Sequence, residues 1–326
     1  MEKFTINILG AKVTYISSVP LRDYFIKNKN FMEFYNATVL PAENELTEDD
    51  YIVIYNDTNN YSNPIVVNGN LMVVQYPFEN LNESILIYLG SHFFEKQFGM
   101  MGICSCHSAC VSKDGKATLI VGDAGAGKTS LAFQLCANGY KLISNDMTLI
   151  GISSEDKLVA YAGTKFMNLR LLSVQQNMSE LLYLFQNNKG DNWTNKISVM
   201  AHDIGVSEEY EPTIIENVIF LRIDSREKLS VRNGDSWRNN FLLYQNTSSH
   251  IRGSAATFID KNGHPIGYIP PMETEETYYK RSYLLNKINK SENYKYVVGS
   301  LPEVVEYVDK LYRRDNKVRE RTYEEK

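Results

Sequence analysis

Eight residues constrain this chain more than any others: Gly122-Asp123-Ala124-Gly125-Ala126-Gly127-Lys128-Thr129. They match the phosphate-loop pattern G-x-x-x-x-G-K-[S/T] at every fixed position. The flanks agree with the pattern. Lys116–Val121 is a short, apolar, β-prone run that reads as a buried strand. Beyond the loop, Leu131, Ala132, Leu135 and Cys136 recur at helical spacing, and Gly139 stands where a C-terminal stop is expected. Strand, glycine loop and helix is the order phosphate binding needs. Glycines let backbone N–H groups turn inward around phosphate oxygens, and the helix N-terminus adds partial positive charge. In this reading residues 122–129 and Ser130 hold a nucleotide. Lys128 reaches the β- and γ-phosphates and the Thr129 hydroxyl takes Mg²⁺. The alternative is a glycine-rich turn that binds nothing.

The rest of the composition narrows the class. The chain has 326 residues, of which 43% are hydrophobic, enough to bury a substantial core. Its formal charge is -5, so there is no basic excess to neutralise nucleic-acid phosphates. The first residues lack a basic start followed by a long apolar core, and no run approaches a membrane span. The expected location is cytoplasmic, with no membrane and no nucleic acid among the partners. In that compartment Cys104, Cys106, Cys110 and Cys136 do not read as a disulfide framework.

Residues 1–100 read as a β-rich N-terminal region with one helix. Residues 4–9 alternate and stop at Gly10, and 12–16 pair with them as a hairpin. Residues 51–55 and 71–76 are two more strands, the second preceded by an Asn68-Gly69 turn. Residues 82–98 carry a helical apolar side that includes His92, read as a packed histidine.

Residues 103–111 and 116–121 read as a hairpin around Lys113-Asp114-Gly115. The run Cys-x-Cys-His-x-x-Cys at 104–110 invites a zinc reading. Strand geometry opposes it, because Cys104, Cys106 and Cys110 share one face and His107 points to the other. Residues 140–150 read as a β-prone run that carries Asn145-Asp146. Asp146 there suits a carboxylate that holds Mg²⁺ or accepts a proton, or else it is a turn aspartate.

Residues 159–162 form a strand, Gly163 a turn, and the following segment ends in a cation. Lys165 and Arg170 are candidates to neutralise transferring phosphate, or are exposed surface cations. Residues 173–185 suggest a helix, 186–192 a polar loop, and 214–223 a buried strand. The polar, Tyr-rich stretch 224–290 reads as an insertion or lid in a core spanning 101–326, with 278–288 helical and Gly253-Ser254 in a loop. Residues 294–298 are a last strand. Ser300-Leu301-Pro302-Glu303 is a capping box opening a helix, and 313–326 is a solvated mixed-charge tail.

Taken in order, four features resemble the catalytic core of the HPr kinase/phosphorylase family. They are His107-Ser108-Ala109-Cys110-Val111 with the Lys113-Asp114-Gly115 turn, the loop 122–129, the helix ending near Gly139-Tyr140, and Ser144-Asn145-Asp146. Gly163-Thr164 with Leu169-Arg170 is a looser match. The resemblance implies an α/β fold: a mixed sheet flanked by helices, similar to the nucleotide-binding core of phosphoenolpyruvate carboxykinase. It implies a Mg-ATP-dependent kinase that phosphorylates a hydroxyl, either Ser/Thr of a peptide or protein or a small-molecule alcohol. By resemblance Lys128 and Thr129 handle phosphate and Mg²⁺, Asp146 is the essential carboxylate that also ligates the metal, and His107 lines the site. Arg170 completes the expected catalytic set. A homo-oligomer is implied, since founding members are hexameric. Founding members carry two adjacent aspartates where this chain has Asn145-Asp146, and a glutamate near the place where Asn168-Leu169-Arg170 stands. The alternatives are a nucleotide-binding regulatory protein with degenerate catalysis, or a P-loop ATPase with a mainly parallel sheet.

Overall fold

The computed structural model describes residues 1–27, 36–43, 45–81, 83–186, 195–252 and 258–324. They form two compact units: residues 1–106 with 245–284, and residues 107–244 with 285–326. The stretch 224–290 is thereby shared between both units. The greater part of the polar loop at 186–192, and Gly253-Ser254, lie outside the described residues.

The first unit is built on a six-stranded mixed sheet of order β3-β1-β2-β4-β6-β5. Its strands are β1 (Glu2–Ile8), β2 (Ala11–Ser17), β3 (Thr38–Pro41), β4 (Ile52–Asn56), β5 (Ile65–Asn68) and β6 (Leu71–Gln75). Helices α1 (Leu21–Lys27), α2 (Glu83–Tyr88) and α3 (Ser91–Met100) accompany it. The β1–β2 hairpin forms as its alternation predicts, with Leu9 and Gly10 both at positive φ in the turn. The single helix expected over 82–98 is instead two. Gly90 breaks it at φ 80°, where an added Cβ would sit 2.8 Å from the Tyr15 hydroxyl. That hydroxyl donates to the Leu89 carbonyl at 2.8 Å, so a residue on a distant strand fixes the break.

The second unit carries a larger mixed sheet of order β11-β10-β7-β8-β14-β16-β15. Its strands include β7 (Ile103–Lys113), β8 (Lys116–Val121), β9 (Lys141–Ser144), which pairs on β7, β10 (Met147–Ile152) and β11 (Leu158–Gly163). A separate hairpin joins β12 (Phe166–Arg170) to β13 (Lys196–Met200). The sheet is completed by β14 (Thr213–Ile223), β15 (Ser230–Asn233) and β16 (Tyr294–Gly299). Its helices are α4 (Lys128–Ala137), α5 (Leu171–Asn177) and α8 (Leu301–Glu324), while α6 (Trp237–Ser248) and α7 (Glu275–Asn289) each have residues in both units. Parallel pairing joins β8 to β14 and β14 to β16, whereas β7–β8, β7–β9, β10–β11, β11–β14 and β15–β16 are antiparallel. β11 also pairs with β14, which curls the sheet back on itself. The chain is thus mixed α/β. The mainly parallel sheet that the ATPase alternative predicts is not the arrangement found.

Several expectations need correction. The run 140–150 is two strands, because the chain turns at Asn145-Asp146. The segment after Gly163 is a full strand, β12, zipped to β13. The helix expected over 173–185 is α5 followed by a 3₁₀ segment, Ser179–Phe185. The tail after 313 is helical to Glu324. The glutamate half of the capping box at its start is made: Glu303 accepts from the Ser300 amide at 3.2 Å, and also from the Ser300 hydroxyl at 2.6 Å. One core binds α4 and α8 to the sheet through Leu131, Leu135, Ile120, Leu221, Val304 and Val308. Burial of such side chains is worth roughly 1.5–3 kcal/mol each, and it fixes the α4 N-terminus against the strand ends.

Candidate functional site

The glycine loop leaves β8 at Val121 and enters α4 at Lys128. Its glycines answer a geometric demand. Gly127 has φ 95°, and an added Cβ would lie 2.5 Å from Cγ1 of Ile223. At Gly122 it would lie 2.7 Å from the Leu221 carbonyl oxygen. Both contacts are with β14, whose Ile223 amide donates to the Ala126 carbonyl at 2.9 Å. Close approach of loop to strand therefore requires glycine at two of the fixed positions. Lys128 is buried, and its ammonium donates to the carbonyls of Gly122 and Asp123 at 3.0 and 3.2 Å. The lysine folds over the loop it follows.

A cavity of about 270 Å³ opens beside the loop. Loop residues Ala124 to Ser130 line one wall; His107, Asn145, Asp146 and Arg170 line the others. Four sequence-expected side chains, on four different segments, meet Thr129 there: His107 from β7, Lys128 from α4, Asp146 from the β9–β10 turn and Arg170 from the end of β12. Gly122 and Asp123 belong to the loop but not to this lining.

Asp146 is held tightly for a turn residue. Its amide and that of Met147 donate to the Thr164 hydroxyl at 2.9 and 3.0 Å, and the Asn145 amide donates to the Thr164 carbonyl at 3.0 Å. At Gly163 an added Cβ would come 2.3 Å from the Ser144 Cβ, so the Gly163-Thr164 corner can press against the turn only as glycine. The carboxylate Oδ1 stands 3.4 Å from Nε2 of His107. Burial alone would raise the Asp146 carboxyl. The hydrogen bond and charge of His107, with the charges of Lys128 and Lys196, outweigh that and hold it below its usual value. Asp146 is therefore ionised at neutral pH. Asn145 is 2% exposed, and its Oδ1 has no hydrogen-bond partner among the described residues.

Lys165 behaves differently from Arg170. It is 2% exposed and donates to the carbonyls of Leu142, Ile143 and Glu209, with Tyr210 under it at 4.7 Å. Burial lowers its amine to about 8. It faces neither solvent nor the cavity; it is a structural cation caged by strand ends. Cys104, Cys106 and Cys110 are buried and form no disulfide, and no group of three metal-ligating side chains occurs among the described residues.

Sequence reasoning missed Lys196, Asn168 and Ser173 on the cavity wall. Asn168 shares the strand face of Arg170 by simple alternation. Lys196 had no local signal: it reaches the site because β12–β13 register sets it opposite Arg170. With Lys128 this makes three cations around one carboxylate, a charge balance suited to a polyanion.

No protein-family model matches the chain, and no curated protein matches it. Among solved structures it is similar to the Hpr(Ser) kinase/phosphatase from Coxiella burnetii, at 12% identity and TM-score 0.31, over 66% of this chain and 98% of that one. Likeness at that level fixes neither fold nor function. No helix among the described residues is long and apolar enough to cross a membrane.

Proposed function

We propose that the chain is a Mg-ATP-dependent kinase of the HPr-kinase-like type, transferring the γ-phosphate to a hydroxyl of a peptide, protein or small molecule. The observation that carries this is the meeting of Lys128, Thr129, Asp146 and His107 around one cavity at a helix N-terminus. Binding of phosphate fits the loop, whose two glycines leave no room for a Cβ, and whose amides lead into α4.

Magnesium fits as well. The Thr129 hydroxyl and Asp146 carboxylate are the hard oxygen donors it takes, and the buried, unpartnered Asn145 oxygen adds a third beside them. When bound, the ion offsets negative charge on the phosphates. The protein's own part is then positioning and proton transfer. Asp146, ionised and oriented by Thr164, accepts the proton of the acceptor hydroxyl. His107 at 3.4 Å orients that carboxylate. Lys128 exchanges its loop carbonyls for phosphate oxygens, and Arg170 with Lys196 faces the transferring group from the opposite wall.

Lys128→Ala tests the reading. With Mg-ATP and candidate hydroxyl acceptors, ADP and phosphorylated product should fall at least roughly a hundred-fold, as for loss of one charge-stabilising group. The fold, followed by circular dichroism, should be unchanged. Full turnover in Lys128→Ala would end the assignment. Tight Mg-ATP binding by the wild type without any ADP would favour the regulatory alternative.

A further inference from the structure

A second cavity, of about 250 Å³, lies on the β14–β16 side of the glycine loop. The first lies on the β7–β10 side. The two share Ala124, Gly125 and Ala126 as a common wall. The second is walled by Asp123, Arg222, Arg238 and Tyr296, with Phe220 behind. The Arg238 guanidinium donates to the Asp123 carboxylate at 2.8 Å. The Tyr296 ring is braced by Phe220, 5.9 Å away. The residue before Arg238, Trp237, is 80% exposed and stacks on Phe241 at 5.4 Å.

We propose that this second cavity is the nucleoside subsite: one nucleotide spans the loop, with its triphosphate in the first cavity and its base in the second. The inference rests on the reading of the loop as a triphosphate site. Three observations carry it. The first is size. Small-molecule sites hold roughly 300–1,000 Å³. Neither cavity alone reaches that range, whereas the two volumes on either side of the shared wall together fall within it. The second is chemistry. The groups that suit phosphate and proton transfer, Lys128, Thr129, Asp146 and His107, face the first cavity. The second offers a carboxylate already bonded to Arg238, a guanidinium and a braced phenol ring. Guanidinium and phenol present flat faces, the partners that planar bases stack on. The third is position. The second cavity lies at the carboxyl ends of the parallel strands β8 and β14, beside β16. In sheets with parallel strands, that is the end of the strands at which ligands are taken. The acceptor is excluded from it because the proton-accepting carboxylate lies on the other side of the loop.

Titration calorimetry on the full chain separates the parts. The probes are Mg-ATP and Mg-tripolyphosphate, which has the same charged chain and no nucleoside. Wild type should bind ATP the more tightly. Arg238→Ala, at an exposed position, and Tyr296→Leu should each weaken ATP roughly five- to a hundred-fold while changing tripolyphosphate by no more than about twofold. Retained tripolyphosphate binding also shows that each variant is folded. If both variants bind ATP as wild type does, or lose ATP and tripolyphosphate alike, the second cavity is not the nucleoside subsite. If wild type binds tripolyphosphate through Lys128 but ATP no better, the inference fails and the loop reading stands. If Lys128→Ala leaves tripolyphosphate binding intact, the loop reading fails and this inference with it.

Discussion

Replacing Thr164 by valine changes one hydroxyl for a methyl at a fully buried position. Shape is kept, so no cavity opens. What is lost is a single acceptor oxygen that serves two backbone donors, the amides of Asp146 at 2.9 Å and Met147 at 3.0 Å. An unsatisfied buried donor costs roughly 1–3 kcal/mol. Met147 is buried and bears the full cost, whereas Asp146 is half-buried and recovers part of it from water. The expected loss is about 2–4 kcal/mol, or roughly 5–15 °C in Tm for a unit of this size. Calorimetric unfolding of the full chain reads this directly. Thr164→Ser is the matched control: it keeps the oxygen and gives up one methyl, about 0.8 kcal/mol. The same substitution loosens the Asp146 turn, so phosphoryl transfer should fall in the valine variant and recover in the serine one. If the valine variant unfolds within roughly 0.5 kcal/mol of the serine variant, the Thr164 oxygen does not hold the turn and the argument built on it is wrong.

Two further outcomes follow from local geometry and burial. Gly127→Ala combines left-handed strain with a clash against Ile223 and should cost roughly 2–5 kcal/mol; Gly125→Ala has φ 81° but open space around it and should lose only the strain. Chemical denaturation of the pair would refute the close-approach argument if the two losses were equal. In the first unit, burial lowers His92 to about 4 and raises Glu95 to about 7. The unfolded chain binds more protons at His92 between pH 4 and 6.5, so that residue makes stability rise with pH there. The folded chain binds more at Glu95 between pH 4.5 and 7, which makes stability fall with rising pH. The two slopes oppose one another at about 1.4 kcal/mol per unit of pH. Stability should therefore be nearly flat between pH 4.5 and 6.5, rise with pH in Glu95→Gln and fall with pH in His92→Leu. Parallel pH profiles in the two variants would contradict this.

Much of the second unit was legible because its signals are local. The Asp114-Gly115 turn, both at positive φ, and the Ser300–Glu303 box depend on neighbours a few positions away. So does the glycine loop between β8 and α4. The errors fall where a distant residue decides. The split at Gly90 follows from the Tyr15 hydroxyl. The turn at Asn145-Asp146 follows from the Gly163-Thr164 corner pressing on it. Strands β3 and β5 are four residues each, too short for alternation to show. Helix α8 runs past 313 into residues whose mixed charge reads equally as a solvated tail.

At the site the division is sharper. Gly122 to Thr129 stood in the sequence as a complete pattern, since a phosphate cradle is made by consecutive backbone groups and needs glycine where the chain must turn. His107 and Asp146 could be named from their order along the chain, but their 3.4 Å separation exists only because β9 pairs on β7. Lys165 and Arg170 look alike in sequence. Tertiary structure sends one into a cage of carbonyls and the other to the cavity, because their odd spacing puts them on opposite sides of an extended chain. Lys196 enters by register alone. The sequence by itself determined where the glycine loop stands between strand and helix; the fold decided which side chains surround it, because they are drawn from segments that strand pairing brings together.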